Sequence, residues 1–548
     1  MAPYRQGKNK RELSRMMYFL RRYLIYIIVL VVLVIGVVAT MRIYDNSTSQ
    51  EEKVEGTTVE LVTADTNYLA MYEPNSYNAL ASSDEDVVYL NYAIFSSLFK
   101  LDNTLNIVPE LVKEYSVNTE EGSVEISLIE NAYFSDGSPL YAVDVQETVD
   151  WIKQIGSSSP YFRYANKIDY IDVYDNYNFT VYFSNAGSAA LDNLIFPIVS
   201  SIDYDKGQGF ALGSGQYAYS SYEEGHSLKL IPNEYYFGTK ATSPVEIMFI
   251  RNRSIIQGMI SMDGVTGYIS KDQSSDNTAI DKELKCTPIV SGELEFMGFN
   301  TDNPLLANST MRRAISLAVD QKKVIEDNYG SDAVISDSLY YPGFLGADIS
   351  DGINFEPKTS SDLILELGLK DVDEDGILET EDNKDLIFSL IVNKDNGSRR
   401  DAALSIAEDL EAIGIEVVIS ELSSGDFNSA LESGNFDLYL AGMSVDKQFD
   451  LRELYTTYNY GGYEGERLLE LTNELEKAHT DTEQSEVFRE LKKELYNEMP
   501  YFGICYKYYY FISVSTLDSK GTPLFFSPYE NLGAWSWQKK ASSGSVSG

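Results

Sequence analysis

The chain has 548 residues, too many for one hydrophobic core, so two or three domains are expected. A content of 44% hydrophobic and 23% charged residues is typical of a folded globular protein and excludes a largely disordered one. The formal net charge of −41 disfavours nucleic-acid binding, because the phosphate backbone would be repelled. Two cysteines and two histidines leave too few side chains for a zinc cluster and few partners for a nucleophilic catalytic site.

The N-terminal segment is predicted to cross a membrane. Residues 23–41 carry no charge and follow a basic segment, 1–22. A helix of that length spans roughly 28 Å, close to the thickness of the hydrocarbon core. The basic flank predicts a cytoplasmic N-terminus and an extracellular remainder. A cleaved signal peptide is the alternative, since Val37-Val38-Ala39 is an acceptable cleavage site, but the length of the apolar run favours an uncleaved anchor.

The segments that flank the predicted folded part are polar. Residues 42–56 are interpreted as a linker, and the twelve mostly polar residues 45–56 within it have a root-mean-square reach of about 20 Å. This linker would hold the folded part close to the outer membrane face. The Ser- and Gly-rich residues 539–548 are predicted to form a disordered tail.

Hydrophobic periodicity predicts the secondary structure after residue 57. Strands are predicted at 57–63, 124–128, 386–392, 415–419 and 438–441, and helices at 84–100, 142–151, 359–367, 400–413, 464–476 and 483–498. After residue 300 helices and strands alternate, and Gly414 stops one helix just before a strand begins. The second half of the chain is therefore predicted to contain an α/β sheet.

Several short sequence motifs lie within and between these predicted elements. Asp136-Gly137 is a turn signal, and Pro139 begins the segment that leads into the helix at 142. Residues 296–320 combine a short apolar run, Asn300, a polar loop and a helix that begins with two arginines. The residues that define the motifs are Pro109, Glu110, Leu111, Phe134, Asp136, Gly137, Pro139, Leu140, Ala142, Asp144, Val145, Gly213, Gly215, Tyr217, Asn233, Tyr236, Gly238, Asn300, Pro500 and Gly503.

In this order, the motifs resemble those of the family 5 extracellular solute-binding proteins, the receptors of peptide/nickel-type ABC importers. The agreement is most specific at 134–145, where eight of twelve positions match the family's pattern. The chain departs from that pattern at Gln216, where the family has proline. In addition, no cysteine follows the apolar residues 23–41, so the lipoprotein anchor of many relatives is excluded.

The resemblance implies a fold. The expected class is α/β, with a two-lobed periplasmic-binding-protein-like architecture (type II, cluster C-like), an extra inserted domain and one preceding transmembrane helix. Two crossing segments, near 285–297 and 500–510, would join the lobes. The implied boundaries are 57–102, 196–292 and 505–538 for the first lobe, 103–195 for the inserted domain and 293–504 for the second lobe.

The resemblance also implies a ligand site. Peptide receptors of the family place an aspartate just beyond a buried strand to receive the ligand's ammonium group, and a shielded carboxylate gains from such a partner. Asp446 and Asp450 both fit, and the tryptophan that often precedes this aspartate is missing. The expected ligand-binding residues are Met443, Ser444, Asp446 and Asp450, with a loop-capping role as the alternative for Asp446.

The acidic segment 371–382 is similar to the calcium loop of an EF-hand. Asp371, Asp373 and Asp375 occupy loop positions 1, 3 and 5, Gly376 occupies position 6, and Asp382 stands where a bidentate Glu is usual. A structural calcium ion on these four aspartates is one interpretation, and a solvated acidic turn is the other. No other cofactor is expected.

The two cysteines, Cys286 and Cys505, fall near the two inferred crossing segments. A disulfide between adjacent strands is geometrically possible there, but two unrelated buried thiols are the favoured interpretation, because free cysteine suits a core well.

The predicted function is capture of peptide-like solutes by hinge closure and their delivery to ABC permease subunits. The protein is expected to be a membrane-anchored extracellular monomer without enzymatic activity and without nucleic-acid partners. A ligand-sensing protein that is not coupled to transport and a secreted hydrolase are the alternatives. A glycosidase would need two carboxylates across a cleft, and the sequence shows no such pair.

Overall fold

A computed structural model describes residues 61–540, apart from 185–187, 205–209, 272–283, 330–332, 337, 348–353, 381, 479, 522 and 530. The predicted anchor at 23–41, the linker at 42–56 and nearly all of the predicted tail lie outside these ranges. Within them, no helix combines the length and apolar character needed to cross a bilayer.

The elements up to the first long strand are mainly strands. In chain order they are β1 (Leu61–Thr63), β2 (Asn67–Tyr72), α1 (Glu85–Ile94), β3 (Phe99–Leu101), β4 (Ile107–Pro109), β5 (Val112–Asn118), β6 (Ser123–Leu128), α2 (Ala142–Ile155), α3 (Phe162–Ala165), β7 (Ile168–Val173), β8 (Asn178–Phe183), α4 (Ser201–Tyr204), β9 (Tyr217–Glu223), β10 (Ser227–Pro232), β11 (Val245–Ile250), α5 (Ile256–Ser261), β12 (Gly267–Ser270) and β13 (Leu284–Phe299).

The elements that follow alternate between helix and strand. They are α6 (Ser309–Ala318), α7 (Gln321–Asn328), β14 (Ala333–Ile335), α8 (Pro357–Glu366), β15 (Ile387–Asn393), α9 (Gly397–Glu411), β16 (Glu416–Leu422), α10 (Ser424–Ser433), β17 (Leu438–Ser444), α11 (Arg452–Tyr455), α12 (Glu466–Lys477), α13 (Asp481–Glu498), β18 (Tyr501–Val514) and β19 (Gln538–Lys540). The strands predicted at 124–128, 386–392, 415–419 and 438–441 are therefore confirmed.

One sheet runs through both halves of the fold. Its strand order is β16-β15-β17-β13-β18-β12-β2-β11-β10-β9, and β14 also pairs with β18. The antiparallel strands β13 and β18 lie in the middle and are long, at 16 and 14 residues. They coincide with the two predicted crossing segments. A separate four-stranded antiparallel sheet, β5-β6-β8-β7, is carried by residues 112–183.

The apolar core divides at these long strands. One cluster of buried residues draws on residues 64–289 and 510–537, and we call this part the first lobe. Two further clusters draw on residues 294–506, and we call this part the second lobe. The division leaves β13 and β18 as the strands that both lobes share. The finer domain boundaries given by the resemblance stay a prediction.

A buried carboxylate joins β13 to β18 and to α9. Glu295 is 1% exposed and forms a two-pronged ion pair with Arg399, at 2.8 Å from Nε and 2.9 Å from Nη2. Lys507 Nζ lies 3.0 Å from Glu295 Oε1, the oxygen that also accepts from Arg399 Nη2. Burial raises the pKa of Glu295, but the two cations outweigh it and hold the pKa below the ordinary value. The pairing register of β13 with β18 shifts beside this residue, between Glu295 and Phe296.

The predicted helix at 84–100 is wrong beyond residue 94. Asp84 caps the helix as expected, but α1 ends at Ile94 and residues 99–101 form a strand. The cause is tertiary, because Ser97 N donates to Glu110 Oε2 at 2.8 Å and Gly215 N donates to Ile94 O at 2.9 Å. These bonds occupy backbone groups that a continuing helix would need.

The motifs at 136–137 and 296–320 have clear structural roles. Gly137 has a φ of +86°, as the predicted turn requires. Asn300 Nδ2 donates to the carbonyls of Gly434 and Phe436, at 3.1 and 2.7 Å, and so has a structural role at the start of the second lobe. Arg312 is 1% exposed, and its guanidinium donates to backbone carbonyls of residues 306, 307, 498 and 499.

No disulfide joins Cys286 to Cys505. The two residues lie on paired strands, but Cys286 is opposite Ile512 and Cys505 is opposite Glu295. Nine positions along β13 separate 286 from 295, which at about 3.3 Å per residue is roughly 30 Å. A disulfide needs Cα atoms within about 7 Å, so the disulfide interpretation is wrong.

Replacing Glu295 with glutamine should strongly destabilise the protein. Glu295→Gln leaves Arg399 and Lys507 buried without a counter-charge, which costs about 3 kcal/mol. Urea denaturation would measure the loss in the free energy of unfolding. The matched control is Arg467→Gln, whose ion pairs on α12 are exposed and contribute about 0.5 kcal/mol or less. Equal losses in the two variants would contradict the prediction.

Candidate functional site

A cavity of about 420 Å³ lies against helix α1 and the segment 520–532. Its walls are rich in aromatic side chains, of which Tyr89 and Tyr92 come from α1, Tyr161 from the segment before α3 and Tyr529 from the C-terminal part. Among the lining residues that the structure describes, Lys447 alone belongs to the second lobe. The cavity therefore lies in the first lobe and is closed on one side by a single second-lobe lysine. Its volume is within the range of small-ligand pockets.

The backbone that shapes this cavity follows from the Gly213-Ser214-Gly215 motif. A Cβ atom at Gly213 would lie 2.0 Å from the carbonyl oxygen of Ile94, so the chain can pass the end of α1 only with glycine there. Asn233 Nδ2 donates to Gly215 O at 2.8 Å and holds the turn from the other side. Two of the sequence motifs therefore fix the position of the α1 terminus at the cavity wall.

One contact between the lobes is an ion pair between Arg163 and Asp446. Arg163 of α3 faces the carboxylate of Asp446, which follows β17 in the second lobe. Burial raises the pKa of Asp446, and the Arg163 guanidinium opposes that rise. The Asp446 side chain also accepts a hydrogen bond from Gln448 N at 2.9 Å, so it stabilises its own loop.

A second group of charges lies beside this pair. Lys167 Nζ of the first lobe is 2.6 Å from Glu476 of α12, and Glu476 is also 2.9 Å from Arg452. Arg452 in turn pairs with Asp450 at 3.0 Å. The lobes are therefore connected by opposite charges in an arrangement that water can reach only in part.

A buried carboxyl group accompanies these charges. Asp192 lines a small cavity with Lys167, Asp450, Arg452 and Glu476. Burial raises the pKa of Asp192 to about 7, Lys167 opposes the rise, and Glu476 adds to it. Near neutral pH this group changes charge at the contact between the lobes.

The predicted ligand-binding residues lie at this contact. Met443 and Ser444 occupy the end of β17, opposite Leu294 and Glu293 of β13, and Ser444 is exposed. Asp446 and Asp450 are each paired with an arginine of the protein. None of the four lines the 420 Å³ cavity. Their direct contact with a ligand stays a prediction.

Lys447, the residue after Asp446, was missed by sequence reasoning. Its Nζ lies 4.3 Å from the centre of the Tyr92 ring, a cation–π contact across the lobes. Burial lowers the pKa of the Lys447 ammonium to about 7. Its position next to a predicted cleft aspartate is the one signal in the sequence that could have identified it.

The predicted calcium loop is formed in part. The carboxylate oxygens of Asp371, Asp373 and Asp375 lie within 4.8 Å of one another and are exposed. Asp382, the predicted fourth ligand, does not belong to this group of described residues. Asp371 instead accepts hydrogen bonds from the backbone N–H groups of Glu374 and Gly376, at 2.7 and 3.0 Å, as a solvated turn would. Calcium binding stays a prediction.

Two lobes that share a pair of long strands, with opposed charges between them and a first-lobe cavity that a second-lobe lysine closes, define a two-lobed solute-binding protein. The profile described as "Bacterial extracellular solute-binding proteins, family 5 Middle" matches residues 106–465. The chain therefore belongs to family 5 of the bacterial extracellular solute-binding proteins. This membership confirms the recognition made from the sequence motifs and the prediction of a solute-binding protein.

Known relatives agree with this assignment. The chain is 24% identical over 472 residues to the oligopeptide-binding protein AppA of Bacillus subtilis, covering 79% of this chain and 84% of AppA. The solved structure of AppA in complex with a nonapeptide has a TM-score of 0.57 at 18% identity and covers 88% and 100% of the two chains. NikZ from Campylobacter jejuni, solved with Ni(L-His), has a TM-score of 0.64 at 19% identity and covers 87% and 100%. These structures support the two-lobed fold.

The raised pKa of Asp192 predicts a pH-dependent stability. In the unfolded chain the carboxyl ionises near pH 4, whereas in the folded protein its pKa is about 7. The protonated Asp192 side chain thus makes its full contribution to the free energy of unfolding below about pH 4. This contribution is lost as the pH rises towards 7. Asp192→Asn should raise the melting temperature relative to the parent protein more at pH 8 than at pH 5. The exposed Asp362→Asn is the control, and an equal difference at both pH values would contradict the prediction.

Removing Arg163 should favour separation of the lobes. The Arg163 side chain is 42% exposed, so its pair with Asp446 contributes about 0.2–1 kcal/mol, or up to about fivefold in the ratio of closed to open molecules. Arg163→Met should increase the radius of gyration measured by small-angle X-ray scattering, and Asp446→Asn should increase it to the same extent. Arg467→Met, which removes pairs within the second lobe, is the control. An unchanged radius in both interlobe variants would contradict this role.

Proposed function

We propose that this protein is the extracellular binding component of an ABC importer and that it captures peptide-like solutes by closure of its two lobes. The observation that carries the proposal is the continuous sheet: of the strands that the structure describes, only β13 and β18 connect those of the two lobes. Rotation about two shared strands can open and close a cleft without breaking either core. Ligand binding would then favour the closed state, and release to permease subunits would favour the open one.

The choice of a peptide-like ligand has two supports. The relative AppA is named for oligopeptide binding, and its structure contains a nonapeptide. The cavity offers flat tyrosine faces, such as those of Tyr89, Tyr161 and Tyr529, beside polar groups of Ser96 and Ser97. Tyrosine presents an apolar face and a hydroxyl that tolerates water, which suits a ligand of mixed character.

We place the protein at the outer face of the cell membrane. In this proposal residues 23–41 form an uncleaved anchor with a cytoplasmic N-terminus, and the protein acts as a monomer beside its permease. The short linker at 42–56 would keep the cleft near the permease. No covalent chemistry is required of the cleft residues in this role.

Native mass spectrometry of the protein purified from cells grown in rich medium tests the ligand class. We expect a set of bound peptides of mixed sequence, because the walls combine aromatic faces with many polar groups and so fit side chains of different kinds. Denatured protein from the same preparation serves as the control for peptides that are merely contaminants. A bound sugar or a bound metal chelate would overturn the peptide proposal while leaving solute binding intact.

A further inference from the structure

The charged groups around the 420 Å³ cavity are mostly neutralised within the protein. Three lysines line it, Lys100, Lys447 and Lys520. Lys100 pairs with Glu110 at 3.5 Å, and Lys520 pairs with Asp518 at 2.5 Å. These two lysines therefore have counter-charges before any ligand arrives.

Lys447 differs from the other two lysines. Within the part of the chain that the structure describes, no carboxylate lies at ion-pair distance from its ammonium group. Its side chain is half-buried and rests on the Tyr92 ring, and burial lowers its pKa to about 7. Removing an ammonium group from water without a counter-charge is unfavourable, so this site would gain from an incoming anion.

The neighbouring aspartate does not supply that anion. Asp446 lies next to Lys447 in the chain, but its carboxylate faces Arg163 and accepts the Gln448 N–H. On the cavity wall itself, the Asp102 carboxylate accepts from the N–H groups of Thr104 and Asn106, at 2.8 and 2.9 Å, within its own turn. Among the described residues that line the cavity, Lys447 is thus the cation without a carboxylate partner, in a protein whose net charge is −41.

We infer that Lys447 binds a carboxylate group of the solute in this cavity, while Asp446 serves to connect the lobes through Arg163. This inference rests on the proposed solute-binding function and specifies the chemistry of the ligand. A ligand carboxylate between Lys447 and the first-lobe wall would connect the two lobes through the ligand itself. Its binding would therefore also favour closure, because Lys447 reaches the cavity only from the second lobe.

The experiment compares three forms of one probe. Pools of tri- to nonapeptides synthesised without Asp and Glu are prepared with free termini, with an amidated C-terminus or with an acetylated N-terminus, and binding is measured by isothermal titration calorimetry. A charge-assisted hydrogen bond contributes about 1.5–3 kcal/mol, so amidation should weaken binding roughly tenfold or more. Acetylation should leave the affinity within about threefold. An amidated pool in which each peptide contains one Glu shows whether a side-chain carboxylate can replace the terminal one.

Two variants of Lys447 and one control sharpen the comparison. Lys447→Met should bind the free-acid and amidated pools equally weakly, whereas Lys447→Arg should retain the preference for the free acid. Lys322→Met removes a lysine with a 76% exposed side chain and should behave as the parent protein. Circular dichroism verifies that each variant is folded.

The outcomes separate the inference from the proposed function. A loss of affinity on acetylation but not on amidation would overturn the role of Lys447 and leave peptide capture intact. A preference for the free acid that survives in Lys447→Met would also overturn it. Failure of every pool to bind the parent protein would overturn the proposed peptide function and this inference together.

Discussion

The ladder between β13 and β18 is the constraint on which the rest of the structure depends. These strands belong to both lobes, so any change in the angle between the lobes must be absorbed by them. The register of the ladder shifts at Glu295, and that carboxylate is fixed by Arg399 from the second-lobe helix α9 and Lys507 from β18. Because a buried charge needs its partners close, this group of three fastens β13 to β18 and to α9 near the second-lobe end of the ladder.

Charge also governs the contact between the lobes, in a different way. The Arg163–Asp446 and Lys167–Glu476 pairs lie where solvent has access, so each contributes little and can be broken and remade as the lobes move. The Glu295 group, with its 2% exposed side chain, is permanent by comparison. Burial thus separates the charges that maintain the fold from those that regulate closure. The same distinction places Asp192, with its pKa near 7, at the movable contact and not in the rigid core.

Asp446 and Lys447 are neighbours in the chain and have opposite roles. They lie where the family resemblance predicts ligand recognition. Asp446 faces the protein, and Lys447 faces the cavity. The two residues lie in a turn, in which Phe449 N donates to Asp446 O at 3.2 Å, so their side chains meet different surroundings although they are neighbours in the chain.

The sequence by itself determined the family, the turn at Asp136-Gly137 and the strands and helices that it predicted between residues 359 and 498, and the family resemblance added the two crossing segments. These features depend on local periodicity, turn chemistry and short motifs, which a linear pattern records. Only the tertiary structure decided that α1 ends at Ile94, that Cys286 and Cys505 lie far apart, and that Lys447 faces the cavity. Each of these depends on partners distant in the chain, such as Glu110 for Ser97 or Arg163 for Asp446. An ion pair or a strand register between such residues leaves no periodic trace in the sequence, because it is fixed only when the lobes have folded against each other.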